Sequence, residues 1–343
     1  MKKILNYIIL ITLIGLTVWL LINNNDLSVF PQLIVKTNKT FLLLAFLSMV
    51  LFWTCDAYII YKMKSTLNIG GSFGSAFKLA MIGQYYSAIT PFATGGQPAQ
   101  VYSLVNDGAQ VGTASSLMVT KLLIYQIAVT FYSIFMFLVK FSFLLQRAKP
   151  SLPFVITGCL FNFIALLLII GLFYNEELIR KIFYRFFIIG YKLKLIKDTE
   201  KLKDKLNTHL SDYKISIDNM KKDKKFSLIL TIATFIQLTF YFSITYFVYL
   251  AVGFSKARYL DIIAIQSLHY MAVSLMPTPG TVGAAEGGFY ILYNSIFPKN
   301  IITFAMVLWR FIDYYFGIIV GGTVSLVDFI RRKSKETIVN IDN

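Results

Sequence analysis

SAITPFATGGQPAQ, from Ser87 to Gln100, and SLMPTPGTVGAAEG, from Ser274 to Gly287, decide how this chain folds. Each sits inside an apolar stretch, 72–110 and 260–298, and each interrupts that stretch with Pro and Gly. Proline removes an amide donor and clashes with the preceding turn, so neither stretch continues as one helix. Backbone without helical hydrogen bonds is tolerated at membrane depth only where protein or a watery cavity satisfies it. Each stretch therefore reads as a helix, a turn near the midplane and a returning helix, which is a re-entrant hairpin. The turn residues are Pro91, Gly95, Gly96 and Pro98 in the first hairpin and Pro277, Pro279, Gly280 and Gly283 in the second.

Composition places these hairpins in a bilayer. Of 343 residues, 57% are hydrophobic and only 15% charged, more apolar surface than a soluble core can hide. Working outward from the hairpins, apolar runs at 4–22, 40–60, 115–139, 152–174, 226–250 and 302–327 reach the about 20 residues that about 30 Å of hydrocarbon asks of a helix. The expected fold is an all-α polytopic integral membrane protein with six transmembrane helices plus the two re-entrant helical hairpins. Run 4–22 reads as a retained span, since its apolar core is long and no small-x-small cleavage site follows Leu21. A net charge of +16 would suggest nucleic acid in a soluble protein. Here the basic residues cluster between apolar runs, so no nucleic-acid partner is expected, and the charge sets orientation and meets anionic lipid. With both termini in the cytoplasm, most of the 33 Lys and Arg residues fall on the inner side. Much of that excess comes from the loop 175–225. There Leu195, Thr199, Leu202, Leu206 and Leu210 form one helical stripe, ringed by Lys192, Lys194, Lys197, Lys201, Lys203 and Lys205. The stripe reads either as an amphipathic helix on the anionic cytoplasmic leaflet or as a solvated linker with topogenic charge.

One offset superposes Ser87 on Ser274, Thr94 on Thr281 and Gly96 on Gly283, and also aligns the spans before and after the two hairpins. The chain thus divides into two membrane repeats, 1–150 and 151–343, each reading helix, helix, hairpin, helix. The first begins inside and the second outside, an inverted-topology repeat of the kind that builds a midplane site in secondary transporters.

TPFATGGQPAQVYSL, Thr90 to Leu104, and MPTPGTVGAAEGGFY, Met276 to Tyr290, resemble the membrane region of lysylphosphatidylglycerol synthases (MprF-type) and their stand-alone, flippase-like relatives, over essentially the whole chain. Gln97 and Gln100 stand where many family members carry Glu and Arg. The resemblance implies a bacterial cytoplasmic membrane protein that moves a phospholipid between leaflets, with aminoacylated phosphatidylglycerol the best-known cargo. Bifunctional relatives carry an aminoacyltransferase domain after the membrane region, whereas this sequence stops at Asn343, soon after the last run. The expectation is therefore a translocase and not an enzyme, whatever lysyltransferase label the family carries, with a separate lipid-modifying enzyme as a partner.

Charged groups at membrane depth cost roughly 3 kcal/mol or more and default to functional readings. Glu286 begins the returning arm of the second hairpin and reads either as a cap of that helix or as a partner for a cationic headgroup or for Arg310. Arg310 and Asp313 share a helical face, so they read either as a structural intrahelical pair or as a partly neutralised guanidinium that remains available to grip a phosphate. Lys121 reads as a snorkelling side chain or a site residue. The returning arms, starting near Gln97 and Ala285, aim helix N-termini at the midplane, where free amides favour an anion. Gln84, Gln97, Gln100, Thr90, Thr94, Thr278 and Thr281 supply donors to a substrate or satisfy the broken backbone. His269 reads as a core imidazole first and a proton relay second. Cys55 and Cys159 fall in apolar runs, and no metal site, P-loop or cofactor is expected. Two other functions fit the same pattern: an ion-coupled carrier of small solutes, and an intramembrane transferase with Glu286 or Asp313 as base.

Overall fold

A computed structural model describes residues 30–148, 152–192 and 199–341, all helices and turns. The expected span 4–22 and Leu195 lie outside the described residues. After a short helix α1 (Phe30–Lys36), Asn38 caps α2 (Lys39–Thr66) by accepting from the amides of Thr40 and Phe41 at 3.0 and 3.4 Å. Ser72 caps α3 (Phe73–Ala88) in the same way, and α3 ends at the first Pro-containing turn. A 3-10 turn, Pro91–Ala93, leads into the returning helix α4 (Gly96–Asn106). Then come α5 (Val111–Val139), α6 (Phe141–Ala148), α7 (Leu152–Tyr174), α8 (Glu176–Lys192) and α9 (Thr199–Lys222). Helix α10 (Lys224–Ala251) begins at Asp223, whose carboxylate accepts from the Phe226 amide at 2.8 Å. The second hairpin follows as α11 (Tyr259–Val273), a 3-10 turn Pro279–Thr281, and α12 (Ala284–Tyr293). The last span runs through α13 (Ile302–Arg310), one π-helical turn Phe311–Tyr315, and α14 (Phe316–Ile341).

Among the described residues, five helical segments are long and apolar enough to cross a membrane: α2, α5, 153–174 of α7, α10 and the continuous Ile302–Lys333. Both expected hairpins are present as helix, turn and helix. Their arms pack tightly because small residues let the backbones approach. A Cβ on Gly96 would stand 2.7 Å from the Gly83 carbonyl oxygen, and one on Gly83 would strike the Gln100 amide. Across the molecule, a Cβ on Gly321 would come within 2.8 Å of the Met81 carbonyl oxygen, so α14 and α3 touch at backbone distance.

Ion pairs at opposite ends of α5 show that the two hairpins start from opposite ends of the bundle. At its C-terminal end, Lys140 pairs with Asp261 in the first turn of α11 at 2.8 Å. Near its N-terminal end, Lys78 of α3 meets Asp328 at 2.9 Å and Asp107 at 3.5 Å, while Arg332 bonds Asp328 and Asp107 at 2.7 and 2.9 Å. Each hairpin's entering arm is thus clasped to the last span of the other repeat. From these ends the arms run inward until the two Pro-containing turns meet.

The basic loop differs from its expected form. It folds into α8 and α9, and the stripe assigned to the leaflet faces protein instead: Leu202 and Leu206 are half-buried, Leu210 is buried, and the stripe continues through Tyr213, Ile217 and Met220 in a core with Leu117 of α5. Gly112 makes that docking possible, since a Cβ there would lie 2.2 Å from the His209 carbonyl oxygen. Periodicity registered the apolar face of α9 but not what covers it. The exposed apolar face of this region belongs to α8, through Ile182, Phe183, Phe186 and Ile189.

Candidate functional site

Arg310 closes α13 where that helix passes the second hairpin turn. Its side chain is 5% exposed. Nε donates to Glu286 at 2.8 Å, Nη1 donates to Asp313 at 3.4 Å, and Nη2 donates to the carbonyl of Gly280. The guanidinium also lies 4.3 Å from the ring centre of Tyr314, whose hydroxyl donates to the Ala88 carbonyl of the first hairpin at 3.1 Å. One buried cation thereby ties the last span to both hairpins. Burial of such a charge is sustained only by partners of this quality.

Glu286 does both things its position suggested. One oxygen takes the Arg310 contact, and the other accepts from the Gly283 amide at 2.6 Å, capping α12. The intrahelical pair Arg310–Asp313 is also present, across the π turn.

Gly280 is required for this geometry. Its φ is +58°, and a Cβ would lie 2.0 Å from a ring carbon of Tyr314. Phe92, Ala93 and Thr281 adopt left-handed φ values of 55°, 53° and 57° although they carry side chains. Strain of this kind, about 1–3 kcal/mol per residue, persists where surrounding structure over-determines it and concentrates at functional sites.

A second charged pair faces the same space. Lys121 does not snorkel: its Nζ lies 2.8 Å from Asp56 Oδ2, with the side chains 18% and 15% exposed. Gln237 donates to the other Asp56 oxygen at 3.4 Å. Asp56, absent from the expected site residues, was visible as a lone acid in an apolar run, which is itself a functional signal.

These groups surround a cavity of about 420 Å³, within the roughly 300–1,000 Å³ usual for ligand sites. Lys121, Arg310, Asp313, Gln84, Gln97 and Gln100 line it, as do Thr94 and Thr281 from the two turns. The threonines hold their own backbone. Thr90 donates to the Tyr86 carbonyl and accepts from the Gly95 amide, Thr94 donates to Pro91, Thr278 to Val282 and Thr281 to Gly280. Thr90 and Thr278 are therefore turn braces set back from the lining. Gln100 donates to the Leu79 carbonyl, joining the arms of the first hairpin. His269 is buried, with Nε2 against the Ala285 carbonyl at 2.9 Å and Nδ1 unpartnered beside the cavity. Pro98 stands in the first turn of α4, and Pro91 and Pro279 each open a 3-10 turn. Among the described residues no group of His, Cys, Asp and Glu is arranged to hold a metal.

A multi-pass helical membrane protein with a charge-paired cavity between two broken hairpins is what this fold and site define. The chain belongs to the family of the lysylphosphatidylglycerol synthase TM region, whose family model matches residues 7–321. It is similar to a UPF0104 membrane protein of Archaeoglobus fulgidus, 27% identical over 310 residues that cover 88% of this chain and 90% of the relative.

Proposed function

We propose that this protein is a lipid translocase: it holds an anionic phosphodiester headgroup in the cavity while the acyl chains stay in the bilayer, and carries that headgroup between the leaflets of the cytoplasmic membrane. The observation that carries the reading is Arg310. A guanidinium at membrane depth, aimed into a cavity where two hairpin turns meet, matches a phosphodiester in charge and in fork geometry. Lys121 supplies a second cation to the lining, and Gln84 and Gln97 add neutral donors. The family adds a lipid-related context, and aminoacylated phosphatidylglycerol is one candidate cargo among phospholipids, made by a separate enzyme.

In this reading α3–α4 and α11–α12 are re-entrant hairpins of an inverted repeat, the run 4–22 is a sixth span, and both termini and the segment 175–225 face the cytoplasm. The clasps at the two ends of α5 support alternating access, because each joins one hairpin to the far repeat and one can open while the other holds. Contact with the anionic leaflet falls to α8, whose apolar face is exposed and whose flanks carry Arg180, Lys181 and Arg185. The reading is of transport without chemistry on the lipid.

Reconstitution tests it. Vesicles containing the purified protein and fluorescent phosphatidylglycerol should expose inner-leaflet probe to an added impermeant quencher much faster than protein-free vesicles. A chemically new lipid product would instead mark a transferase, and uptake of a small solute with no lipid exchange would mark a carrier. Single cysteines at Lys203 and Lys335, in a variant lacking Cys55 and Cys159, should resist impermeant maleimide in intact cells.

A further inference from the structure

We propose that binding of an anion at Arg310 is coupled to uptake of one proton by Asp313, so that a proton gradient drives the lipid. This rests on the translocase reading and names its energy source. The argument begins with what occupies Arg310. All three guanidinium nitrogens are engaged, by Glu286, Asp313 and the Gly280 carbonyl. Each terminal nitrogen keeps a second N–H, and a phosphodiester that takes their fork competes for the cation with Asp313, which holds Nη1 by the longest of the three contacts.

The two carboxylates are not equivalent once displaced. Glu286 keeps the Gly283 amide on its second oxygen. Asp313, 7% exposed, keeps only the facing hydroxyl of Tyr241. The other polar side chains lining the cavity bring no cation to it: Tyr270 and His269 from α11, Tyr125 from α5, Tyr314 from its own turn, and Gln237 from α10. Lys121, the second cation of the cavity, is already paired with Asp56. Counting Glu286, which pairs with Arg310 from outside the lining, the site holds two cations against three carboxylates among the described residues before any anion enters. A buried carboxylate stripped of its cation neutralises instead of remaining charged. The proton comes from the aqueous phase, bonds to an Asp313 carboxylate oxygen, and leaves when the anion departs and Arg310 returns to Asp313.

The balance has a consequence for the driving force. A monoanionic headgroup plus one proton is electroneutral, so movement responds to a pH difference and not to membrane potential. Lipid accumulates in the leaflet facing the alkaline side, by about tenfold in leaflet ratio per pH unit at equilibrium, because one pH unit is tenfold in proton activity.

The first measurement uses vesicles with fluorescent phosphatidylglycerol, a one-unit pH difference and a potential clamped by valinomycin and potassium. The expected ratio approaches tenfold toward the alkaline leaflet and is unchanged when the clamp is reversed. Rapid exchange with a ratio of one overturns the coupling and leaves the translocase standing. Failure of every labelled headgroup to exchange overturns the translocase, and a second measurement then judges the site alone. Protein in detergent, weakly buffered with a pH indicator, receives short-chain phosphatidylglycerol, with binding followed separately by calorimetry. About one proton taken up per lipid bound is expected, and binding without uptake overturns the proposal, as does no binding at all. In Asp313→Asn the competing carboxylate is gone, so the lipid binds more tightly and proton uptake is lost. Uptake persisting in that variant removes Asp313 from the role.

Discussion

Replacing Gly280 by alanine tests the contact on which the cavity depends. Two costs are legible in the structure. The φ of +58° costs an L-residue about 1–2 kcal/mol. The new methyl would also lie 2.0 Å from one ring carbon of Tyr314 and 2.4 Å from the next, and relieving such overpacking costs about 1–3 kcal/mol. Tyr314 has little room to yield, since its ring lies under Arg310 and its hydroxyl is bonded to Ala88. The expected loss is therefore about 2–5 kcal/mol. Gly253→Ala is the internal control: its φ is +92° and nothing lies within 4 Å of the added atom, so only the backbone cost remains. Both variants are compared by reversible unfolding in mixed detergent, with cysteine labelling of half-buried Cys55 as a second readout. Adding Tyr314→Ala to Gly280→Ala should remove the steric part and leave the backbone part. If Gly280→Ala costs no more than Gly253→Ala, the second turn does not press on Tyr314 and its described contact with the last span is wrong.

Arg310→Gln strands two buried carboxylates and should cost about 3–5 kcal/mol in the same unfolding assay, while the triple change with Glu286→Gln and Asp313→Asn should recover most of that loss without restoring lipid movement. Asp56→Asn leaves Lys121 without its cation partner and should lower thermal stability, with Asp56→Asn plus Lys121→Gln recovering it; an unaffected single variant would show the pair to be dispensable. Gly112→Val should push α9 off α5, read as faster tryptic cleavage among the lysines of 201–222 with the spans intact. Cysteines at Thr94 and Thr281 should crosslink through a short bifunctional reagent in a Cys55- and Cys159-free background, and failure of every neighbouring pair would separate the two turns.

Apolar runs, Pro and Gly carry the architecture in plain view, because bilayer thickness fixes helix length and broken backbone must be housed somewhere. Glu286, Arg310 and Asp313 were legible for the same reason: a charge in an apolar run has few explanations. Partners across the fold were not. Lys121 and Asp56 stand on α5 and α2, far apart in sequence, and no periodicity links them, so the sequence offers snorkelling or a site role for the lysine and nothing that pairs it with the aspartate. The threonines of the turns read as donors of either kind, and only coordinates show each oxygen spent on its own turn. The face of α9 was visible as apolar, but a sequence has no way to tell a neighbouring helix from a leaflet.

The π turn in the last span has a consequence for how this helix tolerates change. Each residue of an α-helix advances the side chains by about 100°, so a single extra residue turns everything after it by that angle. Upstream, α13 presents Arg310 to the second hairpin; downstream, Gly317 and Gly321 lie against Gln84 and the Met81 carbonyl of α3. These are two docking faces on one continuous rod, and their phases agree only because the wide turn at Phe311–Tyr315 sits between them. Removing Tyr315 would keep the helix unbroken and keep the spacing of Arg310, Asp313 and Tyr314, yet swing the glycine face away from α3. The last span is thus two gears on one shaft, and its spacing constrains insertions and deletions more severely than any single side chain on it does.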